Sequence, residues 1–113
     1  MSNVTVTNQQ VEIAQTIMNQ LGGRKFVAMT GAKDHVALES GVRFKIGRNA
    51  TSCNTVSIEY DASRDLYNMV FEKVSISKKT FDVSRKLIKR VDGVFCDQMQ
   101  AIFTEVTGMY TSL

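Results

Sequence analysis

The chain of 113 residues has no proline, no tryptophan, one histidine and two cysteines. Because proline is absent, every turn has to be built from Gly, Asn, Asp or Ser, and no Pro-rich linker divides the chain. His35 is the sole imidazole available to a Ser-His-Asp or Cys-His arrangement, and we expect it to be an exposed loop side chain. Cys53 and Cys96 make no CxxC pair, which predicts two buried thiols in a reducing compartment.

Long hydrophobic runs and phosphate-binding loops are also missing. No apolar stretch approaches the roughly 18 residues of a membrane span, and the first ten residues lack the basic and apolar parts of a signal peptide. Neither a Walker loop nor a GxGxxG dinucleotide loop occurs, and the possible metal ligands have no recurrent spacing. The sequence therefore predicts a cytoplasmic protein that is not an enzyme, with no membrane contact, no cofactor, no metal site and no catalytic residues.

What is present is an ordinary globular composition, with 43% hydrophobic and 22% charged residues. A chain of this length buries enough surface for one core, so we expect residues 1–113 to form a single domain in which residues 1–7 are flexible. The hydrophobic period is close to 3.6 near both ends and close to 2 between them. This pattern predicts an α+β fold of two layers, with an N-terminal helix, an antiparallel meander of about five or six strands, and a C-terminal helix.

Periodicity also predicts the individual elements. A helix is expected over residues 8–21, ending at Gly22-Gly23. The short apolar run 26–29 predicts a strand that is covered on both faces. Alternating apolar and polar residues predict strands at 42–46 and 56–60, and residues 36–38 are expected to form a hairpin with 42–46 across Ser40-Gly41. Aromatic and β-branched composition predicts the longest strand, at 66–76.

Residues 80–91 fit either a last strand or a short helix, and the strand is favoured because residues 80–83 have strand composition. Asp92 is expected to be the N-cap of a final helix that Gly108 ends. We expect the tail Met109-Tyr110 to fold back onto the core.

The net charge of +3 is unevenly distributed along the chain. Residues 22–50 carry six basic residues against two acidic ones, and residues 73–90 carry seven against Asp82 alone. Because Lys and Arg neutralise phosphates, these segments predict a basic sheet face that binds nucleic acid. The strongest signal is the segment from Lys78-Lys79 through Lys86, Lys89 and Arg90. The candidate contact residues are Arg43, Lys45, Arg48, Lys73, Lys86, Lys89 and Arg90. The open face of the sheet is expected to hold Arg43, Lys45, Ser57, Glu59 and Lys73. A solvated surface whose charge only aids solubility is the alternative.

Aromatic side chains would add to such a surface wherever they are exposed, since nucleobases stack on them. Tyr60, Tyr67 and Phe81 are the candidates, although aromatic residues more often lie in the core. No helix-turn-helix, zinc-finger or RNP-type motif accompanies them.

Three segments carry a further signal: LGGRKFVAMTGAK at 21–33, DLYNMVF at 65–71 and VFCDQMQAIFTEVTGMYTSL at 94–113. They resemble segments of small proteins carried by bacteriophages and other mobile elements. The resemblance spans most of the chain and implies no active site, because that family has no established biochemical role. It implies an accessory protein that acts in the cytoplasm of a host cell, on nucleic acid or on a host factor.

Two functions from different classes therefore stand as hypotheses. The first is nucleic-acid binding through the basic sheet face. The second is a protein-binding inhibitor of a host factor, such as a component of a CRISPR or other defence system. It would use an open sheet edge or an apolar patch near the last helix or Tyr110, as a monomer or a homodimer.

Overall fold

A computed structural model describes residues 8–111 of the protein. The helices are α1 (Asn8–Leu21), α2 (Arg24–Thr30) and α3 (Met99–Thr107), the last preceded by a 3₁₀ turn at Cys96–Gln98. The strands are β1 (Lys33–Ala37), β2 (Gly41–Lys45), β3 (Thr55–Asp61), β4 (Leu66–Ile76) and β5 (Val83–Val94). The expected flexibility of residues 1–7 concerns a segment outside the described residues.

The five strands form one antiparallel sheet in the order β1-β2-β3-β4-β5, which is a meander. Phe44 pairs with Val56, and Val56 pairs with Phe71, so one face of the sheet collects large apolar side chains. α1 and α3 contact each other and cover that face. The α+β architecture expected from the sequence is confirmed, with five strands between an N-terminal and a C-terminal helix.

The core between the helices and the sheet is built around four fully buried phenylalanines. Phe26 of α2 makes edge contacts with Phe44 of β2 and Phe103 of α3, with ring centroids 5.6 and 4.9 Å apart. Phe103 also lies 6.2 Å from Phe71 of β4. Burying each ring contributes about 1.5–3 kcal/mol, so this cluster is a main attachment between the two layers.

Residues 26–29 belong to helix α2, and the strand predicted there is wrong. Phe26 and Thr30 are buried four residues apart, whereas Val27 and Ala28 between them are exposed. The Thr30 hydroxyl donates to the Phe26 carbonyl oxygen at 2.7 Å, so a polar residue completes the buried stripe of this helix. A four-residue apolar run does not by itself distinguish a strand from one turn of buried helix.

The ambiguous residues 80–91 lead into strand β5, so the favoured strand is confirmed and the helix N-cap predicted at Asp92 is wrong. Val94 is buried and pairs with Tyr67, which keeps the chain in the sheet two residues beyond Asp92. The final helix starts later than expected, after the 3₁₀ turn. It ends as expected at Gly108, whose φ is 75°.

Two side chains near α3 are exposed against expectation. Tyr110 is 70% exposed and does not fold back, although Met109 packs against the core and Thr111 is buried. Cys53 is buried as expected, but Cys96 is exposed. The exposure of Cys96 follows from the late start of α3, which leaves this residue in the turn that precedes the helix.

Candidate nucleic-acid interface

The longest hairpin of the sheet projects beyond its neighbouring strand. β3 pairs with β4 as far as Glu72, whereas β4 and β5 stay paired for four further residue pairs, starting with Lys73 and Lys86. We call residues 73–86, which include the loop 77–82, the arm. Its paired part is roughly 13 Å long at the usual rise of a strand.

Asn54 fixes the base of the arm through both its backbone and its side chain. The backbone N–H of Asn54 donates to the Glu72 carbonyl oxygen at 2.9 Å. Its side-chain Nδ2 donates to the Val74 carbonyl oxygen at 2.7 Å, and its Oδ1 accepts from the Val74 N–H at 2.8 Å. The amide thus replaces one more residue of β3 and holds the first part of the arm to the sheet.

Basic residues concentrate on the arm and on the part of β5 next to it. Seven lie between positions 73 and 90: Lys73, Lys78, Lys79, Arg85, Lys86, Lys89 and Arg90. Both arginines have carboxylate partners, since Arg85 lies 3.4 Å from Glu72 and Arg90 lies 3.0 Å from Asp92. The five lysines differ, because no carboxylate of residues 8–111 lies within 4.0 Å of their amino groups.

Two of these lysines, Lys73 and Lys86, are directly opposite each other across the arm. Like charges in such a pair destabilise the hairpin. A second lysine pair, Lys33 and Lys45, joins β1 and β2, but there the Asp34 carboxylate lies 3.8 Å from the Lys45 amino group. The pair in the arm has no such carboxylate among the described residues, so a bound polyanion would relieve its repulsion.

The arm has two chemically different faces. Lys73 lies on the same face as Phe71 because the two are two residues apart, and Lys89 pairs with Phe71 on that face. The opposite face of the arm carries Val74, Ile76 and Val83, of which the last two are more than half exposed, together with Arg85, which pairs with Val74. Leu87, also more than half exposed, continues this face next to the arm. The arm therefore presents lysines on one side and a mostly apolar surface on the other.

The structure divides the predicted contact residues between the two faces of the sheet. Three lie on the face away from the helices: Arg43, Lys45 and Arg90. Three lie on the helix side: Lys73, Lys86 and Lys89. Arg48 is exposed in the loop between β2 and β3. The expected place of Lys73 on the open face is wrong, because strand alternation puts it with Phe71.

Arg43 and Arg90 do share one cross-strand row, which runs through Ser57 and Val70. The row places the two arginines three strand spacings apart, roughly 14 Å. The basic residues thus form a patch on β2 and a larger group on the arm, separated by two strands whose residues in this row are uncharged.

The structure places three further basic residues on the arm: Lys78, Lys79 and Arg85. The basic segment of the sequence includes them, but the list of predicted contact residues leaves them out. That list describes a flat sheet face, whereas Lys78 and Lys79 lie in the loop at the end of a projecting hairpin.

The aromatic candidates differ sharply in exposure. Tyr67 is buried and burial raises the pKa of its hydroxyl. Tyr60 is half-buried and donates its hydroxyl to the Asp65 carboxylate at 2.6 Å, a bond that raises the pKa of Tyr60. Phe81 is 78% exposed, in the loop of the arm. Of these three aromatic residues, only Phe81 has a ring exposed enough for a nucleobase to stack on it.

The acidic turn between β3 and β4 is held by its own side chains. Ser63 Oγ donates to Asp61 Oδ1 at 2.6 Å, and Arg64 Nε donates to Asp61 Oδ2 at 2.9 Å. Both hydrogen bonds lower the pKa of the Asp61 carboxyl, and the bond from the Ser63 hydroxyl has the larger effect. These contacts order the turn and keep its charge at the surface.

The remaining candidate groups are dispersed. His35 is exposed as expected but belongs to β1 rather than to a loop. Its ring stacks on the ring of Phe44, with the two ring centroids 5.6 Å apart. Burial raises the pKa of the Cys53 thiol. Across residues 8–111, no three His, Cys, Asp or Glu side chains come together as metal ligands.

A groove of about 650 Å³ lies at the other edge of the sheet, between α1, α2 and the β1–β2 hairpin. Apolar side chains such as Val11, Met18 and Val27 line it together with Arg24 and His35. Its size is that of a small-molecule pocket, but its lining is separate from the residues of the arm.

Comparisons of the chain with models of protein families, with curated proteins and with solved structures find no match. No helix within residues 8–111 combines the length and the apolar character needed to cross a bilayer. The chemistry of the arm is therefore the basis for proposing a function.

Proposed function

We propose that this protein binds nucleic acid through the arm and the adjoining Lys89 of β5, and that it catalyses no reaction. The observation that supports this is the set of five lysines on residues 73–89 that have no carboxylate partner in the described part of the chain. Side chains kept unpaired and close together maintain a local positive potential, which attracts a polyanion and is costly without one.

The binding is expected to depend steeply on salt, because each lysine that meets a phosphate releases condensed counterions. If all five lysines contact duplex DNA, the logarithm of the association constant should fall against the logarithm of salt concentration with a slope of about −4.5.

Fluorescence anisotropy with labelled duplex DNA, single-stranded DNA and RNA over a range of salt concentrations tests the proposal. The double variant Lys86→Gln/Lys89→Gln should weaken binding by about tenfold or more and reduce the slope by about 2. Lys25→Gln/Lys33→Gln removes the same charge from α2 and β1 and is the matched control, expected to bind like the wild type. Absence of any complex at low salt would rule the function out.

A protein partner is the second candidate function, and the exposed aromatics near α3 favour it. Phe95, which precedes α3 in the chain, is 57% exposed, and Tyr110, which follows α3, is 70% exposed. Under this second proposal the protein is a mobile-element inhibitor that binds a host defence component in the host cytoplasm. Capture from host lysate with and without nuclease distinguishes the two functions, since a partner held through nucleic acid is lost after digestion.

A further inference from the structure

The end of the arm combines an exposed aromatic ring with an unfavourable backbone conformation. Phe81 is 78% exposed and has a φ of 60°, in the left-handed region. A bulky residue rarely adopts this conformation, and hairpin loops commonly give such a position to glycine. The chain thus holds a phenylalanine where both its backbone and its hydration are unfavourable.

Hydrogen bonds fix this conformation rather than leave it to a mobile loop. The Phe81 N–H donates to the Ser77 carbonyl oxygen at 2.8 Å, and the Ser77 N–H donates to the Asp82 carbonyl oxygen at 2.9 Å. The backbone that carries the ring is therefore held in a set conformation at the end of the arm, in the same loop as Lys78 and Lys79. Strain that the surrounding structure maintains is commonly found at functional positions.

We infer that the arm enters a groove of double-stranded DNA and that Phe81 inserts between adjacent base pairs and bends the duplex. This rests on the proposed function. Two-stranded ribbons fit the grooves of B-form DNA, and apolar wedges that partly unstack base steps are a known device of DNA-bending proteins. Lys78 and Lys79, exposed in the same loop, supply positive charge for the phosphates on either side of the inserted ring.

Single-stranded nucleic acid fits the arm less well. Proteins that hold single strands place several aromatic rings along a groove so that successive bases stack on them. Within residues 73–86 the only aromatic side chain is Phe81. One ring at the end of a narrow ribbon is suited to a single insertion between base pairs.

The test uses the full-length protein and a short DNA duplex with donor and acceptor dyes at its two ends. Affinity comes from anisotropy, and bending comes from the energy transfer between the ends. Phe81→Ala should weaken binding about tenfold, abolish the change in energy transfer and leave the salt slope unchanged, because phosphate contacts are retained. Phe81→Leu keeps an apolar wedge and should retain part of the bend.

Phe95→Ala is the matched control, since it removes an exposed ring outside the arm and should bind and bend DNA like the wild type. Thermal unfolding checks that all variants are folded. If Phe81→Ala binds and bends DNA like the wild type, the inference is wrong while the proposed function stands. Equal or tighter binding of the wild type to single strands or to RNA would also contradict insertion into a DNA duplex. If wild-type protein binds no nucleic acid at all, the proposed function itself fails.

Discussion

Gly41, the first residue of β2, lies so close to β3 that no side chain fits. A Cβ built at this position would lie 2.1 Å from the Ile58 carbonyl oxygen and 2.9 Å from the Glu59 Cα. Both obstacles are backbone atoms of a central strand, so they cannot move aside as a flexible side chain would. The residue therefore sets how closely the hairpin β1–β2 approaches the rest of the sheet.

Gly41→Ala is expected to destabilise the protein by about 1–3 kcal/mol, because the two strands have to separate to admit the methyl group. Urea unfolding followed by circular dichroism measures this as a lower midpoint at unchanged slope. Gly47→Ala is the comparison, since its Cβ would meet a single atom, the Thr30 carbonyl oxygen, at 3.3 Å. Equal losses of unfolding free energy in the two variants would mean that the close approach of the Ile58 and Glu59 backbone is not the reason why alanine is unfavourable at position 41.

At the scale of elements, the arm depends on how β4 leaves the sheet. Beyond Glu72 the edge of β4 that faces β3 has no strand beside it, and the Asn54 amide takes over the two backbone groups of Val74. An unpaired strand edge would otherwise expose its amide groups and lose rigidity.

Asn54→Ala should free the Val74 N–H and carbonyl oxygen, at a cost of about 1–2 kcal/mol for two hydrogen bonds. Hydrogen exchange at the Val74 amide should then accelerate by roughly tenfold, with the amides of the core strands little affected. Asn68→Ala is the control, because it removes a single bond to the Gly93 N–H at the other end of β4. Unchanged exchange at Val74 in Asn54→Ala would show that the arm is held by β5 alone.

Elements with a clean period were predictable from the sequence, and their boundaries were less so. The alternation in residues 42–46 predicts β2, and the 3.6 period in residues 8–21 predicts α1, because burial acts on every residue of these segments. Helix α2 was missed because Thr30 completes its buried stripe through a hydrogen bond to its own helix. The end of β5 was misplaced because Val94 pairs with Tyr67, a long-range contact that local residue types do not reveal.

In the candidate site, too, local sequence predicted one part and long-range strand pairing decided the rest. Charge along residues 73–90 was visible in the sequence, but its arrangement depends on strand pairing. Strand alternation and the bulge opposite Phe71 and Glu72 decide which face each lysine takes, and the register of β4 with β5 decides that Lys73 meets Lys86. The prediction of one basic face failed at this step, because it required register as well as composition.

At the scale of the whole molecule, the protein consists of a packed body and an arm that adds little to its core. The radius of gyration is 14.2 Å, slightly above the value of about 13 Å expected for a compact chain of this length. None of the buried core residues lies within residues 73–86. Stability and the proposed binding therefore reside in different parts of the chain, so that one can be removed without the other.

Removal of residues 73–86, with Glu72 and Leu87 joined through Asn-Gly, tests this separation. Glu72 and Leu87 already pair, and Asn-Gly is the preferred two-residue hairpin turn, so the body should fold. Its melting temperature should fall by less than about 16 °C, the shift that about 2 kcal/mol produces in a domain of this size, because the two Asn54 bonds to Val74 are lost with the arm. The deletion removes five basic residues and one acidic residue and turns the net charge from +3 to −1, so binding to DNA should disappear at physiological salt. A shortened chain that melts cooperatively and still binds DNA like the wild type would place the interface elsewhere on the body, with the Arg43 and Lys45 patch of β2 the next to be mutated.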